Sequence, residues 1–157
     1  MMRGNMKGFL NTWAGFSADL NLVIQLAMGG CLIMGALLAQ AKHYTAHAIC
    51  QTTVVILNLA LIATIMGPVF EQQVVPGMPA HMGKLHYSIA ALHGALGFAT
   101  ELLGLYILLV AGTNVLPQRW RFSRWKLLMR VELILWWAVI ILGAVTYYVW
   151  YAGPSLH

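Results

Sequence analysis

Two histidines and a carboxylate lie at helical spacing within one apolar run of the sequence. Together with the small residues between them they share one helix face about 80° wide: His86, Ala90, His93, Gly97, Glu101 and Gly104. Imidazole binds haem iron, zinc or copper, and a carboxylate can relay protons. Small residues between such groups let a neighbouring helix or a flat cofactor approach the backbone closely. The alternative is plain helix packing, with both histidines hydrogen-bonded to neighbouring helices.

Two other apolar runs carry polar side chains at the same kind of spacing. In an antiparallel bundle these residues predict two clusters at opposite membrane depths. The outer cluster contains Asn21 and Gln25 at the level of His86 and His93. The inner cluster contains His43 and His47, close to Arg130 and Glu132. These two histidines share one face of the second run with Gln51 and Asn58. Either Arg130 or Trp125 is expected to satisfy Glu132.

Spacing limits which of these histidines can bind one ion. His43 and His47, at i and i+4, can chelate a small ion as paired histidines do on a zincin helix. His86 and His93 cannot, because seven residues separate them by ~10.5 Å along a helix. A copper set is the other possibility, since histidine and methionine both suit copper, and its members are His81, His86, Met78 and Met82.

Haem needs two opposed ligands, or one ligand and an open face. The paired-histidine arrangement of two-haem quinol cytochromes is not expected, because the first and fourth runs contain no histidine. One haem b on His93 or His86 remains open, with His81 or a non-histidine partner. His93 is the first choice because it lies deeper in its run, and a buried imidazole needs a partner at both ring nitrogens. Glu101 is either a buried hydrogen-bonded group or a proton relay to a quinone or metal.

These interpretations define the candidate sites, which include no catalytic residue. The candidate cofactor-binding residues are His93, His86, Gly97, Asn21, Gln25 and Glu101. The candidate metal ligands are His93, His86, His81, His47 and His43. The cofactor is haem b, copper as the alternative, or none.

The elements that must position these residues are membrane helices. The chain of 157 residues is 61% hydrophobic and only 8% charged, whereas soluble domains carry about 25% charged residues. Four apolar runs reach the ~20 residues that cross a bilayer, and they are Asn21–Gln40, His47–Met66, Leu85–Gly112 and Lys126–Tyr151. The sequence therefore predicts an all-α fold, an integral membrane antiparallel four-helix bundle.

The boundaries follow from local signals. Residues 1–16 are expected to form an interfacial N-terminal segment, residues 17–151 a single four-helix transmembrane domain, and residues 152–157 a short tail. Ser17 or Asp19 is the expected N-cap of the first helix. Gly67 and Pro68 are expected to end the second helix, with the following segment built from turns rather than helix.

Charge distribution predicts the orientation. Basic residues cluster between or just inside the last two runs, and the positive-inside rule makes that region cytoplasmic; they are Arg119, Arg121, Arg124, Lys126 and Arg130. Both termini and the segment 70–84 then lie outside a bacterial or archaeal cytoplasmic membrane. The net charge of +5 therefore does not indicate nucleic-acid binding. The sequence also has no nucleophile–base set, phosphate loop or dinucleotide fingerprint, which excludes an independent soluble enzyme, and no broken-helix repeat typical of a transporter.

From about Asp19 to Tyr151 the chain resembles a family of small four-helix membrane proteins found near cytochrome oxidase genes, including the CtaM-like factors linked to maturation of the haem-A oxidase. The resemblance rests on Asp19-Leu20-Asn21, His47, the run His86-Tyr87-Ser88-Ile89-Ala90-Ala91-Leu92-His93, and Arg130, Trp136 and Gly143. The family pattern has a further histidine at the start of helix four, where this chain has Trp125. That difference weakens an inner histidine site and leaves the outer site around His93.

The resemblance implies a respiratory setting and the handling of haem or copper. Two functions follow as hypotheses. One is a haem- or copper-binding protein of electron transfer or cytochrome oxidase assembly. The other is a structural accessory subunit of a larger respiratory or photosynthetic membrane complex, without its own cofactor. The expected partners are the lipid bilayer, other membrane subunits of such a complex and a quinone.

Overall fold

The computed structural model of the chain describes residues 8–81, 83–112, 117 and 124–153. These residues contain four helices long and apolar enough to cross a membrane, and no strand. The helices are α1 (Phe16–Gln40), α2 (Tyr44–His81), α3 (Leu85–Gly112) and α4 (Trp125–Ala152). The predicted all-α four-helix membrane fold is confirmed.

The four helices pack as neighbours in chain order. α1 packs mainly on α2, and α3 mainly on α4, while contacts of α1 with α4 and of α2 with α3 close the arrangement. A very short turn joins α1 to α2, in which Lys42 adopts a positive φ of 63°. The buried core lies between α1, α2 and α4 and consists of Met28, Leu32, Val54, Val55, Leu61, Trp136 and Ile140. Many large apolar side chains of all four helices are exposed on the surface of the bundle.

The second helix does not end at Gly67 and Pro68, so that prediction was wrong. Gly67 has helical backbone angles, φ −60° and ψ −55°, and its N–H bonds to the carbonyl of Ile62, five residues back. This wider π-type turn accommodates Pro68, which has no N–H to contribute. The segment up to His81 remains helical, with successive parts Tyr44–Leu61 (α), Ile62–Met66 (π), Gly67–Val69 (α), Phe70–Val74 (π), Val75–Gly77 (3₁₀) and Met78–His81 (α). The expected turn-built outer segment is thus a continuation of α2.

The N-terminal segment is fastened to the end of the bundle by Asp19. The N-cap of α1 is Gly15, with no side-chain cap, so the prediction of Ser17 or Asp19 as the cap was wrong. Asp19 is fully buried and accepts hydrogen bonds from the Leu10 N–H, at 2.8 Å, and from the Tyr147 hydroxyl of α4, at 2.5 Å. A carboxylate that binds across elements holds the lead-in segment and α4 on α1 instead of capping its own helix.

Candidate ligand-binding cavity

A cavity of about 650 Å³ lies between all four helices. Its walls come from the beginning of α1, the later part of α2, the first half of α3 and the last part of α4. These parts lie at one end of an antiparallel bundle, named here the N-terminal end because α1 begins there. Exposed Leu26 and Phe98 belong to the lining, so the cavity reaches the lipid-facing surface. Its volume falls within the range of about 300–1,000 Å³ that is typical of small-molecule sites.

The cavity wall is mainly apolar, with a small number of polar side chains. Those polar residues are Asn21, Gln25, Asn58, Gln73, His93, Thr146, Tyr147 and Tyr151. Apolar walls with a few placed polar groups are the usual composition of a site for a largely apolar ligand. Three of the residues predicted from sequence as an outer cluster, Asn21, Gln25 and His93, are therefore brought to one cavity, together with Gly97.

His93 lies in the interface of α3 and α4. Its Nδ1 is buried without a hydrogen-bond partner, and the ring interacts with the backbone carbonyl of Val139 on α4. The Cε1 side of the imidazole packs tightly against Gly143, because a Cβ there would lie 2.9 Å from His93 Cε1. A histidine that is oriented by a backbone carbonyl and keeps one ring nitrogen unpaired resembles the histidines that ligate metal ions in proteins.

A second buried atom without a partner lies in the same wall. Asn21 Oδ1 has no hydrogen-bond partner in the described part of the chain. Polar atoms left buried and unpaired are uncommon in native proteins and call for a missing partner such as a ligand or water. Two residues of the cavity lining, Asn21 and His93, thus each carry a buried polar atom without a partner, Oδ1 and Nδ1 respectively.

The remaining amides of the wall form a chain. Gln25 donates from Nε2 to Asn58 Oδ1, at 2.8 Å, and Asn58 donates from Nδ2 to Glu101 Oε2, also at 2.8 Å. Asn58 is thus the link between α1, α2 and α3. Glu101 is buried behind the wall and does not itself line the cavity.

The structure places His86 and His81 away from the cavity lining. The His86 ring packs against Tyr87, at 4.7 Å between centroids, and against Trp150, at 5.5 Å. His81 stacks on the same Tyr87 ring, at 5.4 Å between centroids. Its Nδ1 lies 3.1 Å from the Gly77 carbonyl oxygen. Met82 of the predicted copper set lies outside the described residues. Aromatic packing and a backbone hydrogen bond thus account for much of these two histidines' surroundings.

The predicted inner cluster is arranged differently from expectation. His47 Nδ1 lies 2.7 Å from the Gly35 carbonyl of α1, and His43 is exposed just before α2. Glu132 Oε1 accepts a hydrogen bond from Trp136 Nε1 at 2.8 Å, in place of the expected partner Arg130 or Trp125. The described residues hold no group of three or more His, Cys, Asp or Glu side chains that could bind a metal ion.

Sequence reasoning missed two features of this site. It assigned Asn58 to the face of the inner histidines, but the residue lies at the cavity and bonds to Gln25 and Glu101. It gave no role to Gly143, which makes room for the His93 ring. An asparagine in the middle of an apolar run was the signal for the first. Nothing in the spacing alone pairs Gly143 with His93, because the two lie on different helices.

Comparisons with protein-family models, curated proteins and solved structures gave no match.

Proposed function

We propose that this protein binds a flat, largely apolar cofactor in the cavity at the N-terminal end of the bundle, and that the cofactor is haem b. In this proposal His93 is the ligand to the iron, and the protein serves electron transfer or cytochrome oxidase assembly in a respiratory-type membrane system. The observation that carries the proposal is the unpartnered, buried Nδ1 of His93 in the wall of a 650 Å³ apolar cavity.

The residues present fit such a group in three respects. The backbone carbonyl of Val139 interacts with the ring of His93, and such a carbonyl helps to orient a ligating histidine. Gly97 adds no side chain to the wall, and a Cβ there would meet only Val139 Cγ1 at 3.6 Å, so a planar ring has room beside α3. Gln73 and Tyr151, which share a hydrogen bond of 3.3 Å, offer polar atoms to a ligand's polar edge.

Nδ1 is covered as the ring stands, so ligation requires the imidazole to turn towards the cavity. A bound haem would supply one-electron redox chemistry, with its potential set by the axial ligand and by burial. The chain's own contribution is to bind the group, orient it and exclude water. Copper is less well supported, because the His81 and His86 rings both pack on Tyr87. In the described part of the chain these two histidines also belong to no group of three or more His, Cys, Asp or Glu side chains.

The proposed setting is a bacterial or archaeal cytoplasmic membrane with both termini outside. Its support is the charge asymmetry of the sequence, in which Lys42, Lys126 and Arg130 all belong to the end opposite the cavity. Arg119 and Arg121, and also Arg3 and Lys7 near the N-terminus, lie outside the described residues. In this orientation the cavity opens in the outer half of the bilayer.

The test is an optical spectrum and a metal analysis of the intact protein, extracted in mild detergent and purified without added haem. The proposal expects a Soret band that shifts on reduction and iron in stoichiometric amount. Protein lacking haem on purification is then titrated with haem b. Failure to bind haem in both experiments, with co-purification of larger subunits, would contradict the proposal and favour the structural accessory subunit.

A further inference from the structure

Two carboxyl groups inside the membrane spans are not accounted for by the cavity. Glu101 on α3 is 3% exposed and Glu132 on α4 is 8% exposed. Each has one oxygen with a partner: Glu101 Oε2 accepts from Asn58 Nδ2, and Glu132 Oε1 accepts from Trp136 Nε1, both at 2.8 Å. The other two oxygens, Glu101 Oε1 and Glu132 Oε2, are buried without any partner.

The two carboxyl groups belong to one cluster between α3 and α4. Glu132 packs on Gly104, where a Cβ would lie 3.0 Å from Glu132 Oε1. Gly104 follows Glu101 by three residues and therefore lies next to it on the same face of α3. The carboxyl group of Glu101 is close enough to that of Glu132 to interact with it electrostatically.

No cation of the described residues neutralises this pair. α1 contributes Gln25 to the polar chain, α2 contributes Asn58 and the apolar Val55, and α4 contributes Trp136. The nearest basic residue in the sequence of α4 is Arg130, whose side chain is exposed. Two unpaired negative charges at this depth would be costly, since even a single charged side chain in the middle of a membrane helix is unfavourable.

One bound proton removes the difficulty. A protonated carboxyl group is a donor, so a proton on either glutamate turns one unpaired acceptor into a donor for the other. A metal ion is a poorer fit, because hard cations take about six or more oxygen ligands and this cluster offers two free oxygens. Gly104 and Val55, which lie close to Glu132, bring no side-chain oxygen to the cluster.

We propose that Glu101 and Glu132 form a membrane-embedded proton-binding pair that holds one proton between the two carboxyl groups. Asn58 and Trp136 each donate to one oxygen, which leaves one buried, unpaired oxygen on each carboxyl group for the shared proton. Through Asn58 and Gln25 the pair is connected to the cavity wall, but proton binding itself does not depend on a ligand in the cavity.

The test is infrared spectroscopy of the protein reconstituted in liposomes at neutral pH. The carbonyl stretch of a protonated carboxyl is compared between the wild type and the double variant Glu101→Gln/Glu132→Gln, since glutamine has the shape of a neutral glutamic acid. The expected difference is one protonated carboxyl per chain, with the thermal unfolding of the two proteins similar. No difference band, or a band equal to two carboxyl groups, would overturn the proposal. If the double variant does not fold, chemical labelling of the wild type tests the same claim.

Chemical labelling locates the proton. Dicyclohexylcarbodiimide is apolar and reacts with protonated carboxyl groups, so peptide mapping should find one label per wild-type chain, on Glu101 or Glu132. Exposed Glu71 is the internal control and should stay unlabelled. Labelling that sodium chloride suppresses and choline chloride does not would identify a sodium site and contradict the proton assignment, as would labelling confined to Glu71.

Discussion

The imidazole of His93 lies directly on the backbone of Gly143, with 2.9 Å between Cε1 and the position that a Cβ of residue 143 would take. Helix α4 therefore accommodates His93 only because residue 143 has no side chain. The backbone carbonyl of Val139, one turn earlier on α4, also interacts with the imidazole. Two backbone features of α4 thus fix where the histidine of α3 stands beside the cavity.

Substitution Gly143→Ala should displace the His93 ring. Overpacking of this kind typically costs about 1–3 kcal/mol, so we expect haem to bind about tenfold more weakly, which corresponds to ~1.4 kcal/mol. A haem titration followed at the Soret band measures the change. The matched control is Gly30→Ala, because a Cβ at Gly30 meets nothing within 4 Å. Equal affinity in the Gly143 and Gly30 variants would show that this contact does not position the ligand.

The small residues of α3 should differ in their tolerance of a methyl group. A Cβ at Gly104 would lie 3.0 Å from Glu132 Oε1 and 3.2 Å from Val55 Cγ2, whereas one at Gly97 would meet only Val139 Cγ1 at 3.6 Å. Gly104→Ala is therefore expected to lower the free energy of unfolding by about 1–3 kcal/mol, and Gly97→Ala to leave it nearly unchanged. Unfolding in mixed detergent micelles compares the two. The account of this face is wrong if Gly97→Ala is the more damaging change.

The attachment of the N-terminal segment should depend on Tyr147. Its hydroxyl donates to Asp19 Oδ1 at 2.5 Å and lies 2.6 Å from Thr12 Oγ1. Tyr147→Phe removes a hydrogen bond to a buried carboxylate, which is worth about 1.5–3 kcal/mol. We expect faster proteolysis within residues 8–15 and lower stability. Tyr148→Phe is the control, because the exposed Tyr148 ring lies next to Tyr147 in the chain. Indistinguishable proteolysis of the two variants would contradict this role.

Orientation is tested with single cysteines in a chain carrying Cys31→Ala and Cys50→Ala. Gly83→Cys and Lys126→Cys both place the thiol at exposed positions, at opposite ends of the bundle. A membrane-impermeant maleimide added to intact cells should label position 83 and reach position 126 only after the membrane is permeabilised. Labelling of both positions from the same side would rule out the four-span topology, and the reverse pattern would invert the orientation.

The sequence predicted the spans and the polar face of α3 because both depend on periodicity within a single helix. Ala90, Glu101 and Gly104 are indeed buried, as the alternation of small and polar residues indicated. The end of α2 was mispredicted at Pro68, since the glycine–proline stop signal assumes an α-helical turn and the chain instead widens to a π-type turn. The glycine–proline pair does not predict this continued helix, because the continuation packs on α3 and so depends on residues far away in the sequence.

Contacts between helices were the part that sequence could not provide. Asn58 was placed on a face with His47, yet its amide spans from Gln25 to Glu101. Asp19 was expected to serve its own helix and instead binds Tyr147, 128 residues away. Both depend on the rotation and depth of one helix against another, which hydrophobic periodicity leaves undetermined when every helix is apolar on nearly all sides.

The most direct test of the central claim is cofactor content in His93→Ala beside His86→Ala. Both changes remove an imidazole from α3, but only His93 lines the cavity. Each variant is purified like the wild type, and haem is measured by the Soret absorbance and by pyridine haemochrome. The account predicts loss of haem in His93→Ala and retention in His86→Ala. Full retention of haem in a folded His93→Ala protein would contradict it.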